Sequence, residues 1–257
     1  KYNIISLDNN SSGLKRNHIK NTRVKYLKGE KKNIKELIKK PKKIHSVFHF
    51  GEFARIYQSF LNMNECIESN TIGTNSVFNF CLKNKIKLIY SATSASLGNK
   101  GNDKNLSPYA FTKAKNLELL ENLKKWFKFK YEVIYFYNVY GPRQIRNGKM
   151  ATVIGIFEEA FKKKNPLPVV LPGTQSRRFT HIDDTVKICF LAWKKNLSRH
   201  YSISNKQSFS ILEVAKMFNS RINFLKKRPG ERYASALTDM NLSNKVYKYF
   251  GKIKLKE

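Results

Sequence analysis

Apolar residues in the first half of the chain come mostly in short runs, with helical spacing only between them. Ile4-Ile5-Ser6-Leu7 ends in Asp8 and a polar turn, Asn9-Asn10-Ser11-Ser12-Gly13, the pattern of a buried strand and its exit. Val24-Lys25-Tyr26-Leu27, Ser46-Val47-Phe48-His49-Phe50, Lys87-Leu88-Ile89-Tyr90-Ser91 and Glu132-Val133-Ile134-Tyr135-Phe136-Tyr137 read the same way. Between these runs the spacing predicts a basic helix over 33–40 stopped by Pro41, and a helix over 70–82. A long helix opens at Ser107-Pro108, with serine as N-cap and proline in the first turn. Its apolar stripe is Ala110, Ala114, Leu117, Leu120, Leu123 and Phe127.

Strands alternating with helices predict an α/β fold built on a doubly wound parallel sheet. After Gly141-Pro142 the rhythm loosens. The expected division is a nucleotide-binding domain over 1–140, to which 179–204 returns, and a smaller C-terminal substrate-binding lobe from 141–178 and 205–257. Such a sheet should open with a strand and a glycine-rich turn that brings backbone close to a diphosphate. No such turn occurs, and the chain begins where a second strand is expected.

Composition adjusts this picture in two ways. The 257 residues suffice for one large domain or two interlocked lobes, and 41% apolar content is ordinary for a globular chain. Fifty Lys and Arg against 18 Asp and Glu give a net charge of +32, which favours anionic partners. The lysines are spread along the chain and no recognition motif accompanies them, so anionic small molecules are expected rather than nucleic acid. Cys66, Cys81 and Cys189 form no close pair, and the five histidines show no metal spacing. That pattern points to buried, reduced thiols in a cytoplasmic protein and to no metal site. No apolar stretch is long enough to span a membrane, and the first residues lack a signal-peptide core.

The candidate chemistry centres on Tyr109 and Lys113. At four residues' spacing both lie on one helix face. A lysine ammonium beside a phenol favours the phenolate, and lowering the tyrosine by about three pH units corresponds to about 4 kcal/mol. The phenolate could then take a proton from a substrate hydroxyl. Upstream, the strand over 87–91 delivers Ser91-Ala92-Thr93 at its carboxyl end, where open α/β sheets place their sites.

Several ordered motifs resemble one family. These are His49-Phe50-Gly51, Asn70 with Gly73-Thr74, Ser91-Ala92-Thr93, and Ser107-Pro108-Tyr109-Ala110-Phe111-Thr112-Lys113. Tyr137-Asn138-Val139-Tyr140-Gly141-Pro142-Arg143-Gln144, Gly173 to Asp184, and Arg228-Pro229-Gly230-Glu231 follow in order. Together they resemble the extended short-chain dehydrogenase/reductases, and within these the NAD-dependent nucleotide-sugar epimerase/dehydratase family that includes UDP-glucose 4-epimerase.

The resemblance implies a Rossmann-like sheet with bound NAD, a nucleotide-sugar substrate, transient hydride transfer with no net redox change, and a homodimer paired through sheet-flanking helices. Tyr109 would be the acid/base, Lys113 its electrostatic partner and a ribose ligand, and Thr93 the holder of the sugar hydroxyl. Asp8 would accept from the adenosine ribose, which favours NAD over its phosphorylated form, with Asn9 and Ser12 in the same turn. Phe50, Gly51, Asn70 and Ser91 would flank or support the cofactor. Asn138 would sit by the sugar and diphosphate, and Arg177 and Arg228 would clamp the diphosphate.

The departures from the family also carry expectations. Thr93-Ser94-Ala95 replaces the Thr-Asp-Glu of the dehydratases, which disfavours loss of water. The segment between Thr93 and Tyr109 is short, Arg178 stands where Asp is usual, and Glu30 stands where Asp usually meets the adenine. Asp184 is expected to cap the helix at Thr185-Val186, His181 to be structural, and Glu52 to occupy an exposed turn.

Overall fold

The computed structural model describes residues 2–96, 105–230 and 246–255; Glu231 of the last motif, and most of the segment between Thr93 and Tyr109, lie outside them. The predicted runs form strands β1 (Ile4–Asp8), β2 (Val24–Lys28), β3 (Ser46–His49), β4 (Lys87–Thr93) and β5 (Tyr131–Phe136). Helix α1 (Ile34–Leu37) is only a short turn, since Pro41 opens a separate 3-10 turn and Ile34 is its one buried residue. Helices α2 (Ile56–Leu61), α3 (Met63–Ile67) and α4 (Thr74–Lys83) follow, and a π-type turn over 68–73 joins the last two. That turn buries Asn70.

Helix α5 (Pro108–Phe127) starts as expected: the Ser107 hydroxyl accepts from the Ala110 N–H at 3.1 Å and proline occupies the first turn. Leu120 of its predicted stripe is fully buried. Beyond β6 (Val139–Tyr140) come α6 (Val153–Lys162), β7 (Leu167–Val170), β8 (Ser176–Arg178), β9 (Thr180–His181), α7 (Ile182–Lys195), β10 (His200–Ser204), β11 (Ser208–Ser210), α8 (Ile211–Lys216), β12 (Ile222–Leu225) and β13 (Val246–Phe250). The cap of α7 differs from expectation. The helix starts earlier, the His181 side chain accepts from the Asp183 N–H, and Asp184 instead accepts from the backbone of Lys252 and Ile253 at 2.9 and 3.0 Å.

The main sheet is parallel, in the order β13-β10-β5-β4-β3. Strands β1 and β2 form a separate parallel pair, with Ile4 opposite Val24. Among the described residues no ladder joins the pair to β3, and Ile4 and Phe48 stay exposed. Side chains join the pair to the sheet: Leu7 and Leu27 pack on the cluster that holds Ile34, Phe78, Leu88 and Val133, and Tyr2 meets His45 and Trp193 edge-on or tilted.

A second apolar cluster, with Phe157, Leu167, Val169, Phe179, Phe209 and Val214, is built from α6, β7, the residue between β8 and β9, β11 and α8. Strand β13 pairs with β10 in the main sheet, so residues 246–250 lie with that sheet and not in the lobe assigned to 205–257. All three cysteines are buried and free, and burial pushes the Cys66 thiol up to about 11. No described helix is long and apolar enough to cross a membrane.

Candidate active site

Strand β4 ends at Thr93, and the first turn of α5 stands beside it. Tyr109 and Lys113 are both buried. The Thr93 side chain opposes the rise that burial imposes on the Tyr109 phenol. The Tyr109 backbone N–H donates to Ser59 Oγ of α2 at 3.2 Å, which locks the start of α5 against that helix. Lys113 Nζ donates to the Ser91 carbonyl at 2.5 Å, and Ser91 Oγ donates to the His49 carbonyl at 3.2 Å. Thr93, Ser91, Tyr109 and Lys113 are thus brought together at the carboxyl end of the central strands.

The electrostatics differ from the sequence expectation. Burial pushes the Tyr109 phenol up to about 12; the Thr93 side chain and the Arg55 charge oppose this, and the Glu52 charge adds to it. The Lys113 ammonium is paired with the Glu52 carboxylate. Glu52 is no exposed turn residue: its side chain is 2% exposed. Burial alone would raise its carboxyl, but Lys113, His49 and Lys31 outweigh that and hold it below the usual carboxylate range.

Sequence reasoning also passes over Arg55, Ser59, Tyr90 and Asn116. Arg55 donates to the carbonyls of Ala151 and Met150 at 3.1 and 2.5 Å, which ties the turn after β3 to the loop before α6. Two signals were available: a carboxylate directly after a strand end and Gly51, and Asn116 one turn beyond Lys113 on the same helix face.

The family model described as the NAD dependent epimerase/dehydratase family matches residues 1–204. The chain belongs to that family. It is 27% identical over 250 residues to a putative UDP-glucose 4-epimerase of Methanocaldococcus jannaschii, covering 90% of this chain and 80% of the relative. It is 28% identical to a UDP-N-acetyl-alpha-D-glucosaminuronate decarboxylase of Bacillus cytotoxicus, covering 66% of this chain and 56% of that relative. The fold matches the UDP-glucose 4-epimerase of Thermotoga maritima solved with UDP-glucose, with a TM-score of 0.84, 22% identity, and coverage of 100% of this chain and 88% of the other.

NAD is the cofactor of this epimerase/dehydratase family, and the residues present suit its two ends. Asp8 closes β1, its Oδ1 accepting from the Asn10 N–H at 2.7 Å. A Cβ on Gly13 would lie 3.1 Å from the Asp8 Oδ2, so glycine there keeps that oxygen accessible. At the other end a Cβ on Gly51 would meet nothing within 4 Å, leaving open space over the carboxyl end of β3, near Ser91 and Lys113.

The remaining predicted residues scatter. Asn9 donates to Glu30 at 3.0 Å and caps its own turn by accepting from Ser11, and Ser12 is half-buried nearby. Phe50 is exposed and meets Phe136 edge-on at 5.5 Å. Asn70 is fully buried, and its amide exchanges hydrogen bonds with the backbone of Phe53 at 2.8 and 3.0 Å. It holds the turn that carries Glu52 rather than facing the open crevice. Asn138 follows β5 with φ 37° and donates to the Arg178 carbonyl at 2.9 Å. Arg177 stands on β8, opposite Phe209 of β11. Arg228 lies over the Tyr57 ring at 4.9 Å, against the helix whose Ser59 anchors Tyr109.

Proposed function

We propose that this chain is an NAD-dependent nucleotide-sugar epimerase of the UDP-glucose 4-epimerase type. The observation that carries the reading is the placement of Thr93, at the end of β4, with the buried Tyr109 and Lys113 of α5. NAD, when bound, supplies the hydride acceptor and donor, so net redox is zero. Tyr109 Oη takes the proton of the sugar hydroxyl at the inverted carbon and gives it back, and Thr93 holds the same oxygen. In the unliganded site Tyr109 keeps its proton at neutral pH, so it is ready as an acid, and its role as a base requires ligand binding to change the local charge. Lys113 holds a cofactor ribose hydroxyl. Asn138, Arg177 and Arg228 take the sugar and diphosphate. Thr93-Ser94-Ala95 provides no acid–base carboxyl pair, which favours inversion over dehydration.

The test is incubation of the purified chain with a panel of nucleotide sugars, products read by chromatography and NMR, with mass spectrometry of small molecules released on denaturation. The expected results are an epimer, released NAD, and loss of conversion in Tyr109→Phe. A decarboxylated or dehydrated product would assign the chain to a sibling reaction. Absence of both NAD and conversion would favour a non-catalytic family member that binds a nucleotide sugar or a partner. The exposed Phe111, Trp126 and Phe127 of α5 support a homodimer through that helix, which light scattering would read directly.

A further inference from the structure

Among the described residues Arg178 is the one charged side chain with a buried polar atom left unpaired. Its Nε is closed off from solvent and donates to nothing. The hydrogen bond its guanidinium does make is long, from Nη1 to Ser204 Oγ at 3.4 Å. The carboxylates nearest in sequence do not serve it. Asp183 stands 3.7 Å from His181, and Asp184 stands 3.8 Å from Lys187 while accepting from the backbone of Lys252 and Ile253. A half-buried guanidinium that has shed water without gaining a counter-ion is unfavourable by itself. A planar oxyanion would answer its fork of donors in charge and in geometry.

The place of Arg178 says which oxyanion. Side chains alternate along a strand, and directly opposed residues of a ladder share a face. In the β8–β11 pair Arg177 lies opposite Phe209, which is buried in the apolar cluster of the lobe, and Arg178 lies opposite Ser208. The two arginines therefore leave β8 on opposite faces and do not clamp one diphosphate together. Arg178 is tied to the main sheet instead: its carbonyl accepts from Asn138, just beyond β5, and its Nη1 reaches Ser204, the last residue of β10. Thr93, Phe136 and Ile203 are in register across β4, β5 and β10, so the end of β10 lies about 10 Å along the sheet edge from Thr93. With the reacting hydroxyl at Thr93 and Tyr109, Arg178 faces the far side of the sugar. We infer that Arg178 binds a carboxylate carried by the sugar, so that the substrate is a nucleotide uronate rather than a neutral nucleotide sugar. The inference rests on the epimerase reading for where the sugar lies.

The experiment is isothermal titration calorimetry of the full chain with UDP-glucuronate, UDP-glucose and UDP, at about 0.15 M salt so that the overall positive charge is screened. The wild-type chain should bind UDP-glucuronate at least about tenfold more tightly than UDP-glucose. Arg178→Gln should lose that preference and keep the wild-type affinity for UDP. Arg178→Lys, which keeps the charge and loses the fork, should retain only part of the preference. Equal affinity of the wild type for the two sugars would overturn the inference without any variant, and so would a preference that survives in Arg178→Gln. A loss of UDP affinity in Arg178→Gln would assign the arginine to the diphosphate and overturn it equally. Tight, Arg178-dependent binding of UDP-glucuronate with no epimer formed would sink the epimerase reading and not this one. Binding of none of the three would sink both.

Discussion

Replacing His49 with glutamine should flatten the acid side of the stability profile. His49 is 4% exposed, with its ring edge-on to Phe78 at 6.4 Å and tilted to Tyr90 at 5.9 Å. Burial pushes the imidazole from 6.5 down to about 4; Glu52 opposes this, and Lys31 and Lys113 reinforce it. As pH falls below about 6.5 the unfolded chain takes up the imidazole proton, whereas the folded chain takes it up only near 4. In that window the unfolded state binds more protons, so stability falls with falling pH. At about 1.4 kcal/mol per pH unit, the descent from neutral pH to about pH 5 removes about 2 kcal/mol. Glutamine reaches Thr74 with an amide and does not titrate. Urea unfolding of both chains at the two pH values checks this. Wild type should lose about 2 kcal/mol more than His49→Gln, and Glu52, held below the usual carboxylate range, stays ionised and does not blur the comparison. Parallel losses in the two chains would refute a buried, neutral His49.

Three further changes have defined expectations. Ser107→Ala removes the cap on the Ala110 N–H and should cost about 1 kcal/mol, read as a lower melting temperature. Asp184→Ala leaves the Lys252 and Ile253 amides unpaired and should cost about 1–3 kcal/mol, with faster hydrogen exchange at those two amides. Asn70→Ala frees the Phe53 carbonyl and leaves the Phe53 N–H only its 3.2 Å bond to Ser69 Oγ, in a buried setting; a loss of about 1–3 kcal/mol is expected, measured by chemical denaturation.

The parts of the fold written in local pattern were legible. Strands β1 to β5 follow short apolar runs, and α5 follows a serine cap, a proline and a stripe, all signals carried within a few residues. The Tyr109–Lys113 pair needed only helix geometry. What stayed hidden depends on distant partners. Glu52 looks like a surface residue until Lys113, 61 positions away, supplies the charge that lets it be buried. The ion pair of Lys113 stayed hidden for the same reason, because its counter-ion lies on another element. Strand β13 finds its place only by pairing with β10, and β1 and β2 carry no mark of their separation from β3. Asp184 resembles a helix cap in sequence, but the terminal loop over 252–253 claims its carboxylate.

Among the described residues the β1–β2 pair shares no ladder with the five-stranded sheet, which sets two levels of local stability in this chain. A strand inside a continuous ladder opens only when its neighbours do, whereas a pair held by side-chain packing can detach as its own cooperative unit. Amides of β1 and β2 should therefore exchange faster than those of β4 and β5, which lie inside the five-stranded sheet. Asp8 rides on the looser unit and Lys113 on the firmer one. A ligand gripping both would act as a staple between them. Its affinity would be spent partly on holding the two units together, and its arrival would register as slowed exchange throughout β1 and β2.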